Sequence, residues 1–183
     1  WETVLGAGAT LANSAANTVL RGGWRFQTGS TSGTDAGLTG PQQVRITQDW
    51  VGIYVLTPSN SGAQDVIAGL QATAGQFANA NTQVGFRSVN GGNLIAYADN
   101  AGTETTIDSG VTPDGSTKHV LVMAISGAGT IADFWIDGIA VGRITSNLPS
   151  SGTSLYGQVG VRTTSAADRS LYCGEAIMFA RAP

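Results

Sequence analysis

The chain has 183 residues, of which 42% are hydrophobic and only 11% are charged, and its formal net charge is −3. This length fits a single domain with a sizeable core. The nine basic residues form no cluster, which excludes the electrostatic pattern of a nucleic-acid-binding protein. The longest apolar run, residues 120–125, is far too short to cross a bilayer as a helix. One cysteine and one histidine exclude an internal disulfide and a histidine-rich zinc site.

The composition favours strands over helices. The chain contains 26 glycines, 36 serines and threonines and a single lysine, so it is rich in turn formers and β-branched residues and poor in the best helix formers. Short runs of β-forming residues alternate with clusters of Gly, Ser, Thr, Asn and Asp, as in a sandwich or barrel. We therefore predict an all-β, single-domain fold with two antiparallel sheets packed as a β-sandwich. Strands are predicted near residues 24–28, 43–56, 65–72, 82–89, 93–99, 104–108, 118–126, 130–136, 139–145, 155–162 and 170–180.

Local patterns set several element boundaries. The apolar run 120–125 lies between Gly/Ser/Thr clusters and is interpreted as a central strand rather than a buried helix segment. Asp137-Gly138 between two apolar runs predicts a hairpin with a tight turn, and the sequence 90–93 predicts another turn. Residues 1–23 show no helical stripe and are interpreted as a peripheral segment: an outer strand, a clasp against a neighbouring chain or a linker end. The sandwich domain is then expected to span residues 24–183.

The second half of the chain carries a recognisable succession of elements. A strand opens at Lys118-His119, the aromatic hairpin Phe134-Trp135-Ile136-Asp137-Gly138 follows, and a loop after Asn147-Leu148-Pro149 leads into a strand at 156–162. This succession resembles the concanavalin A-like lectin/glucanase (laminin-G-like) jelly-roll superfamily. The resemblance covers residues 80–180 well and 24–75 loosely. It implies a jelly roll, but that superfamily hosts glycosidases, lectins, adhesion modules and structural virion domains, so the resemblance alone names no activity.

The resemblance provides a test for glycosidase activity. Glucanases of this superfamily carry Glu-x-Asp-x-Glu on one strand, and retaining enzymes hold two carboxyl groups roughly 5–5.5 Å apart across the sugar. None of the three glutamates has an acidic residue two positions away, and only Glu104/Asp108 and Asp133/Asp137 stand four positions apart. Turn chemistry explains Asp108 and Asp137, which precede Ser-Gly and Gly. We therefore expect no catalytic residues and no enzymatic activity.

Nucleophilic catalysis is not indicated either. His119 is the only imidazole, it begins an apolar strand, and no Gly-x-Ser-x-Gly elbow accompanies it. We interpret it as a structural histidine. Cys173 alternates with Leu171 and Glu175 in the last strand and is interpreted as a small core or edge residue.

Oxygen-bearing side chains in or beside loops leave a structural Ca²⁺ site open, because Ca²⁺ prefers such ligands. None of them has the spacing of a known calcium loop, and Asn and Asp also suit turns. We predict no cofactor and keep Asp99, Asn100 and Asp108 as the Ca²⁺ candidates. The full set of these side chains is Asn90, Asn93, Asp99, Asn100, Asp108 and Asp114.

Aromatic rings beside amides and carboxylates suit a glycan, since sugars have apolar faces and polar edges. Trp135 alternates with Phe134 and Ile136 and is predicted to face away from the core with Asp133. An outward Trp135 would serve a ligand or a subunit interface, and we favour the interface because interface cores are enriched in Trp and Tyr. The alternative is that the tryptophans fill the sandwich core. The candidate glycan-binding or interface residues are Trp135, Asp133, Trp50, Tyr97, Asn93 and Asn90.

Few charges, abundant small and polar residues and short loops resemble the composition of phage fibres, spikes and capsid decorations. The sequence therefore predicts a non-catalytic, lectin-like module at a bacteriophage virion or tail surface, or extracellular, which attaches to cell-surface glycans or other virion proteins as a homo-oligomer. Nucleic-acid binding and membrane insertion are not expected. A purely structural capsid decoration or assembly protein is the alternative, and a glycoside hydrolase on the same fold is a further one. Because the chain begins at Trp1 without an initiator methionine, we expect a processed or excised piece.

Overall fold

The computed structural model describes residues 2–5, 8–13, 23–58, 62–73, 82–126 and 128–180. These residues form fourteen strands in two seven-stranded sheets, and they contain no helix and hence none that could span a membrane. The first sheet has the order β1 (Glu2–Leu5), β4 (Asp35–Arg45), β13 (Ser154–Thr163), β6 (Gln64–Gln71), β7 (Thr82–Ser88), β8 (Ile95–Asn100) and β9 (Thr103–Asp108). The second has the order β12 (Ile139–Ile144), β11 (Ile131–Ile136), β10 (His119–Ser126), β5 (Trp50–Pro58), β14 (Ser170–Ala180), β3 (Trp24–Gln27) and β2 (Thr10–Asn13).

The core lies between the two sheets and is filled by alternate residues of each strand. In β10, for example, Leu121, Met123 and Ile125 are buried and the residues between them are partly exposed, as the two-residue period of a strand requires. Phe86 of the first sheet meets Phe134 of the second edge to face, with ring centroids 5.3 Å apart. The predicted all-β sandwich of two antiparallel sheets is confirmed.

The two predicted turns are confirmed. Asp137 and Gly138 both have positive φ, 53° and 82°, and connect β11 to β12, as a two-residue hairpin turn requires. Asn90 and Gly91 have φ of 51° and 68° and lie between β7 and β8. Asparagine, aspartate and glycine tolerate this left-handed conformation best.

One strand prediction is wrong. The single strand expected over residues 43–56 is two strands, β4 ending at Arg45 and β5 beginning at Trp50, joined by a short turn. The first part of β4 was missed because it is rich in Gly, Thr and Gln and contains Pro41, which read as a loop. Opposite this proline the pairing of β13 with β4 shifts register between Tyr156 and Gln158, an irregularity of the kind that admits proline inside a sheet.

The N-terminal residues contribute two edge strands. β1 pairs with β4 at one edge of the first sheet, and β2 pairs with β3 at one edge of the second. Residues 14–22, also part of the predicted peripheral segment, lie outside the described residues. The division between a peripheral segment and a sandwich domain at residue 24 stays a prediction.

Truncating Phe134 tests the packing between the sheets. Phe134→Ala should lower the free energy of unfolding by about 3–5 kcal/mol, because it removes a fully buried ring from a close-packed core. Ile139→Ala, in the same hairpin but 74% exposed, should change it by less than about 0.5 kcal/mol. Chemical denaturation measures both, and a similar small effect for the two variants would contradict this packing.

The Asp114 turn predicts a pH dependence of stability. The Asp114 carboxylate accepts hydrogen bonds from the Thr117 hydroxyl and from the backbone amides of Thr117 and Ser116, at 2.6, 2.6 and 2.8 Å. These bonds hold the pKa of Asp114 well below its usual range, with the Thr117 hydroxyl contributing most. A lowered folded-state pKa stabilises the fold at neutral pH, and the contribution is lost as pH falls below the usual value of about 4.

Asp114→Ala should therefore lower the melting temperature at neutral pH, and the difference from the wild type should shrink in strong acid. Thermal unfolding across a pH series measures this. A difference that is the same at neutral and strongly acidic pH would show that the ionised carboxylate is not what stabilises the turn.

Candidate functional site

The two outer faces of the sandwich differ in chemistry. On the second sheet the outward positions of β5 are Val51, Ile53 and Val55. On the first sheet the outward positions of neighbouring strands include Gln71 and Gln83, which alternate with core residues. A sugar chain offers hydroxyl groups that amides, guanidinium groups and carboxylates can bind, so the polar face of the first sheet is the candidate site.

Polar side chains follow one another across five strands of this face. Tyr156, Gln71, Gln83, Asp99 and Glu104 are successive register partners on β13, β6, β7, β8 and β9. Side chains at such directly opposed positions are neighbours on one face of the sheet. The register therefore brings these five residues, which are distant in sequence, into one polar row.

Glycines occupy the middle of the adjacent row. Gly69 and Gly85 are register partners, and a Cβ on either would lie 2.4 Å from a backbone carbonyl oxygen of the neighbouring strand. Tyr97, the partner of Gly85, packs against Ile67 in a small apolar cluster separate from the main core. Because β7 lies between β6 and β8, this contact crosses β7, which is possible because Gly85 has no side chain.

Five of these outward residues form what we call the outer polar cluster: Gln83, Arg87, Tyr97, Asp99 and Glu104. Arg87 Nη2 lies 2.5 Å from Glu104 Oε1, and the guanidinium carbon lies 4.9 Å from the centre of the Tyr97 ring. The Tyr97 hydroxyl donates to Gln83 Oε1 at 2.9 Å. Three adjacent strands thus bring a cation, two carboxylates, an amide and a phenol together.

The cluster has accessible and buried members. The side chains of Arg87 and Glu104 are each 28% exposed, whereas Tyr97 is fully buried. Burial raises the pKa of Tyr97, which the Arg87 guanidinium only partly opposes. The phenol is therefore a neutral hydrogen-bond donor that supports the cluster, and the Arg87–Glu104 pair is the part that a substrate can reach.

A pair of amides lies beside the cluster. Gln71 and Gln158 hydrogen-bond to each other, and both Nε2 atoms donate to the Thr73 carbonyl at 2.9 Å. Both side chains are buried, whereas Tyr156, the register partner of Gln71, is partly exposed. These hydrogen bonds hold the two buried amides in place next to Tyr156.

The structure does not bring the candidate residues from the sequence together. Tyr97 belongs to the outer polar cluster, but Trp135 and Asp133 lie on the outer face of the second sheet, where Asp133 accepts two hydrogen bonds from Arg143 at 2.7 and 3.0 Å. Trp50 begins β5, and its Nε1 donates to the Arg45 carbonyl at 2.9 Å.

The two asparagine candidates serve the turn between β7 and β8. Asn93 donates to Asp108 at 3.0 Å and accepts from the Thr112 hydroxyl at 2.5 Å. Asn90 accepts from the Thr164 hydroxyl at 2.9 Å. Both side chains therefore take part in hydrogen bonds that hold this end of the sandwich together.

The Ca²⁺ candidates lie at the ends of β8 and β9, next to turns. Asp99 accepts from the Gly102 amide at 2.7 Å, Asp108 accepts from the Gly110 amide at 2.8 Å, and Asn100 ends β8. Across the described ranges, no three side chains of His, Cys, Asp or Glu lie close enough to hold a metal ion together.

His119 and Cys173 are both buried. His119 is buried, and its Nδ1 lies 2.8 Å from Asp137 Oδ2, while Asp137 Oδ1 accepts from the Val120 amide at 2.7 Å. Asp137 also lines a pocket of about 230 Å³ with Asp108 and Ile139 at the open edge between the sheets. Cys173 is buried in the core, and burial raises the pKa of its thiol to about 12, so it stays protonated.

Sequence reasoning missed Gln83, Arg87, Glu104 and the amide pair as a site. The available signal was the alternation of polar residues with core residues in β6, β7 and β9, which places them on one face. Their convergence depends on strand order and register, which the alternation does not supply.

Several solved structures share this fold. An endo-β-1,4-glucuronan lyase from the fungus Trichoderma reesei superposes with a TM-score of 0.66 at 14% identity, covering 93% of this chain and 86% of that one. Alginate lyase AlyC3 matches with a TM-score of 0.62 at 9% identity, over 86% and 75% of the two chains. The carbohydrate-binding module CBM66 from Bacillus subtilis matches with a TM-score of 0.52 at 14% identity, over 94% and 96%.

A protein of unknown function from Shewanella oneidensis MR-1 also shares the fold, with a TM-score of 0.67 at 16% identity over 98% of this chain and 77% of that one. No family model matches the sequence, and no curated protein is significantly similar to it. At these identities the structural matches establish the fold alone, a jelly-roll β-sandwich.

These comparisons correct the functional expectation from the sequence. The prediction of a non-catalytic, lectin-like phage surface module is contradicted, because the solved structures that share the fold over most of the chain include several polysaccharide lyases. The prediction failed because it depended on one linear acidic signature, Glu-x-Asp-x-Glu. In this fold the polar side chains come together from separate strands. A phage origin receives no support.

Proposed function

We propose that this protein is a carbohydrate-active enzyme that cleaves a polysaccharide lying across the outer face of the first sheet. The observation that carries the proposal is the outer polar cluster, in which the accessible Arg87–Glu104 pair stands above Tyr97 and Gln83. The fold it shares with glucuronan and alginate lyases supports cleavage as the activity.

The first chemistry to consider is β-elimination from a uronic acid residue. A uronate carboxylate takes the place of Glu104 on Arg87, because guanidinium groups bind carboxylates through charge-assisted, often bidentate hydrogen bonds. Glu104 is thereby released and accepts the proton on the carbon next to that carboxylate. The electron pair of the broken C–H bond forms a carbon–carbon double bond and expels the glycosidic oxygen, which takes a proton from solvent. Arg87 stabilises the negative charge that develops on the substrate carboxylate.

The second chemistry is hydrolysis, which a different observation favours. Asp99 and Glu104 are direct register partners on β8 and β9, so their Cβ atoms lie about 4.5–5.5 Å apart. Retaining glycosidases hold their two carboxyl groups roughly 5–5.5 Å apart, a separation that carboxyl groups on such neighbouring positions can adopt. Hydrolysis would need one of the two as the acid and the other as the nucleophile.

The charge of the outer face of the first sheet bears on the choice between elimination and hydrolysis. Its described outward side chains have three guanidinium groups, two of them already paired, against five carboxylates. This excess of negative charge favours a neutral glycan over an anionic one at low salt, and screening weakens that preference as ionic strength rises. The residues are Arg45, Arg87 and Arg162 against Asp35, Asp65, Asp99, Glu104 and Asp108.

A cleavage assay on polyglucuronate, alginate and a neutral β-glucan tests the proposal. Elimination creates a conjugated double bond that absorbs ultraviolet light, whereas hydrolysis creates reducing ends without that absorbance. We expect Arg87→Gln and Glu104→Gln each to reduce the rate by roughly 10²-fold or more, the scale of losing a transition-state charge partner or an acid–base group.

The control is another Arg–carboxylate ion pair, Arg143–Asp133, which lies on the outer face of the second sheet. Arg143→Gln and Asp133→Asn should leave the rate unchanged. Hydrolysis would be assigned if the wild type forms reducing ends without ultraviolet absorbance and Asp99→Asn loses that activity. The absence of both products from all three polymers, or full activity of Arg87→Gln, would overturn the proposed site.

A further inference from the structure

We propose that two copies of this chain associate through the outer face of the second sheet. This inference does not rest on the proposed enzymatic function, because it concerns the opposite side of the sandwich. It is carried by an apolar surface that extends across four adjacent strands, β11, β10, β5 and β14, where a solvent-facing sheet normally has polar residues.

One row crosses the centre of this surface. Trp135, Val122, Ile53 and Ile177 are successive register partners on the four strands. Their chain neighbours, such as Phe134, point into the core. Four large apolar side chains therefore stand side by side on the outside of the sheet.

A second row extends the surface toward one end of the sheet. Ala124, Val51 and Phe179 are register partners on β10, β5 and β14. Phe179 and Ile177 are 48% and 42% exposed. Contiguous exposed apolar side chains of this kind mark interaction surfaces rather than ordinary solvent-facing sheet.

The charges at the rim favour a second copy as the occupant. A twofold interface places the same patch on both partners, so a patch with net charge would repel itself. The row of Trp135, Val122, Ile53 and Ile177 has no charged side chain, Asp133 at the end of the second row is paired with Arg143, and Glu175 lies in the next row, at the edge of the surface. Two copies can therefore face each other without bringing like charges together at the centre, and the charges at the edge match the polar rim of an interface.

The size of the surface also fits a pair of copies. Four strands of up to about nine residues present a flat area of roughly 500–600 Å², from the spacing of strands and residues. Side-chain relief and the flanking strands β3 and β12 bring this near the roughly 800 Å² per partner of a standard interface. Two sheet faces can stack about 10 Å apart with their side chains interdigitating, as the two sheets inside this sandwich do.

Sedimentation velocity on the full chain over a concentration series from micromolar upward tests this inference. We expect the wild type to dimerise, and Ile177→Lys and Val122→Lys each to weaken the association at least tenfold, because they place a charge at the centre of the interface. Thr106→Lys, an exposed position on the outer face of the first sheet, adds the same charge elsewhere and should leave dimerisation unchanged.

Circular dichroism and thermal unfolding of each variant show whether the fold is retained, and Phe179→Ser provides a milder change on the same face. A wild type that stays monomeric at about 100 μM would overturn the inference, as would a dimer that all three variants of this face leave intact. Binding of a polysaccharide that Ile177→Lys abolishes in a monomeric protein would instead assign this face to a glycan and also overturn it.

Discussion

The packing of alternate side chains between two seven-stranded sheets is the constraint on which the rest of the structure depends. Each strand must present an apolar side chain at every second position to fill the space that Phe86 and Phe134 bridge. The remaining positions are then fixed on the outside, where packing no longer dictates their chemistry. The outward residues, which do not pack in the core, are therefore the ones available for function.

Those residues separate into two surfaces. On the first sheet they are amides, carboxylates, a phenol and a guanidinium group, held by hydrogen bonds and by the glycine contact between β6 and β7. On the second sheet they are predominantly valine, isoleucine and aromatic residues. A sandwich with one polar and one apolar outer face can bind a polar polymer on one side while the other side meets a second apolar surface. The two proposed roles would not compete, because the full thickness of the core lies between the two faces.

The sequence contains enough local information for most of the fold. The alternation in residues 119–126 and the Asp137-Gly138 pair are local signals, and the strands and hairpin they predict are present. β4 was only partly predicted, because Gly, Thr, Gln and Pro41 lack strand propensity and the strand is held by pairing with β1 and β13. Strand propensity alone cannot predict a strand that forms because neighbouring strands pair with it.

The candidate site was less predictable than the fold. Gln83, Tyr97 and Glu104 are neighbours only because β7, β8 and β9 pair in one register, and no linear motif marks them. The outward direction of Trp135 did follow from strand alternation, whereas its role as a ligand or interface residue stays a prediction. The contact of His119 with Asp137 was also missed, since a turn residue was expected to serve its turn alone.

The two N-terminal strands have a consequence for the exposed edges of the two sheets. β1 and β2 have only four residues each, yet β2 pairs with all of β3 and β1 pairs with Ala36–Thr39 of β4. Without β1, the unpaired amides and carbonyls along that side of the eleven-residue β4 would form a longer row, which is a template for pairing with other chains. Two very short strands thus reduce the unpaired edge that could pair with other chains, and a fragment that starts at Trp24 would lose both.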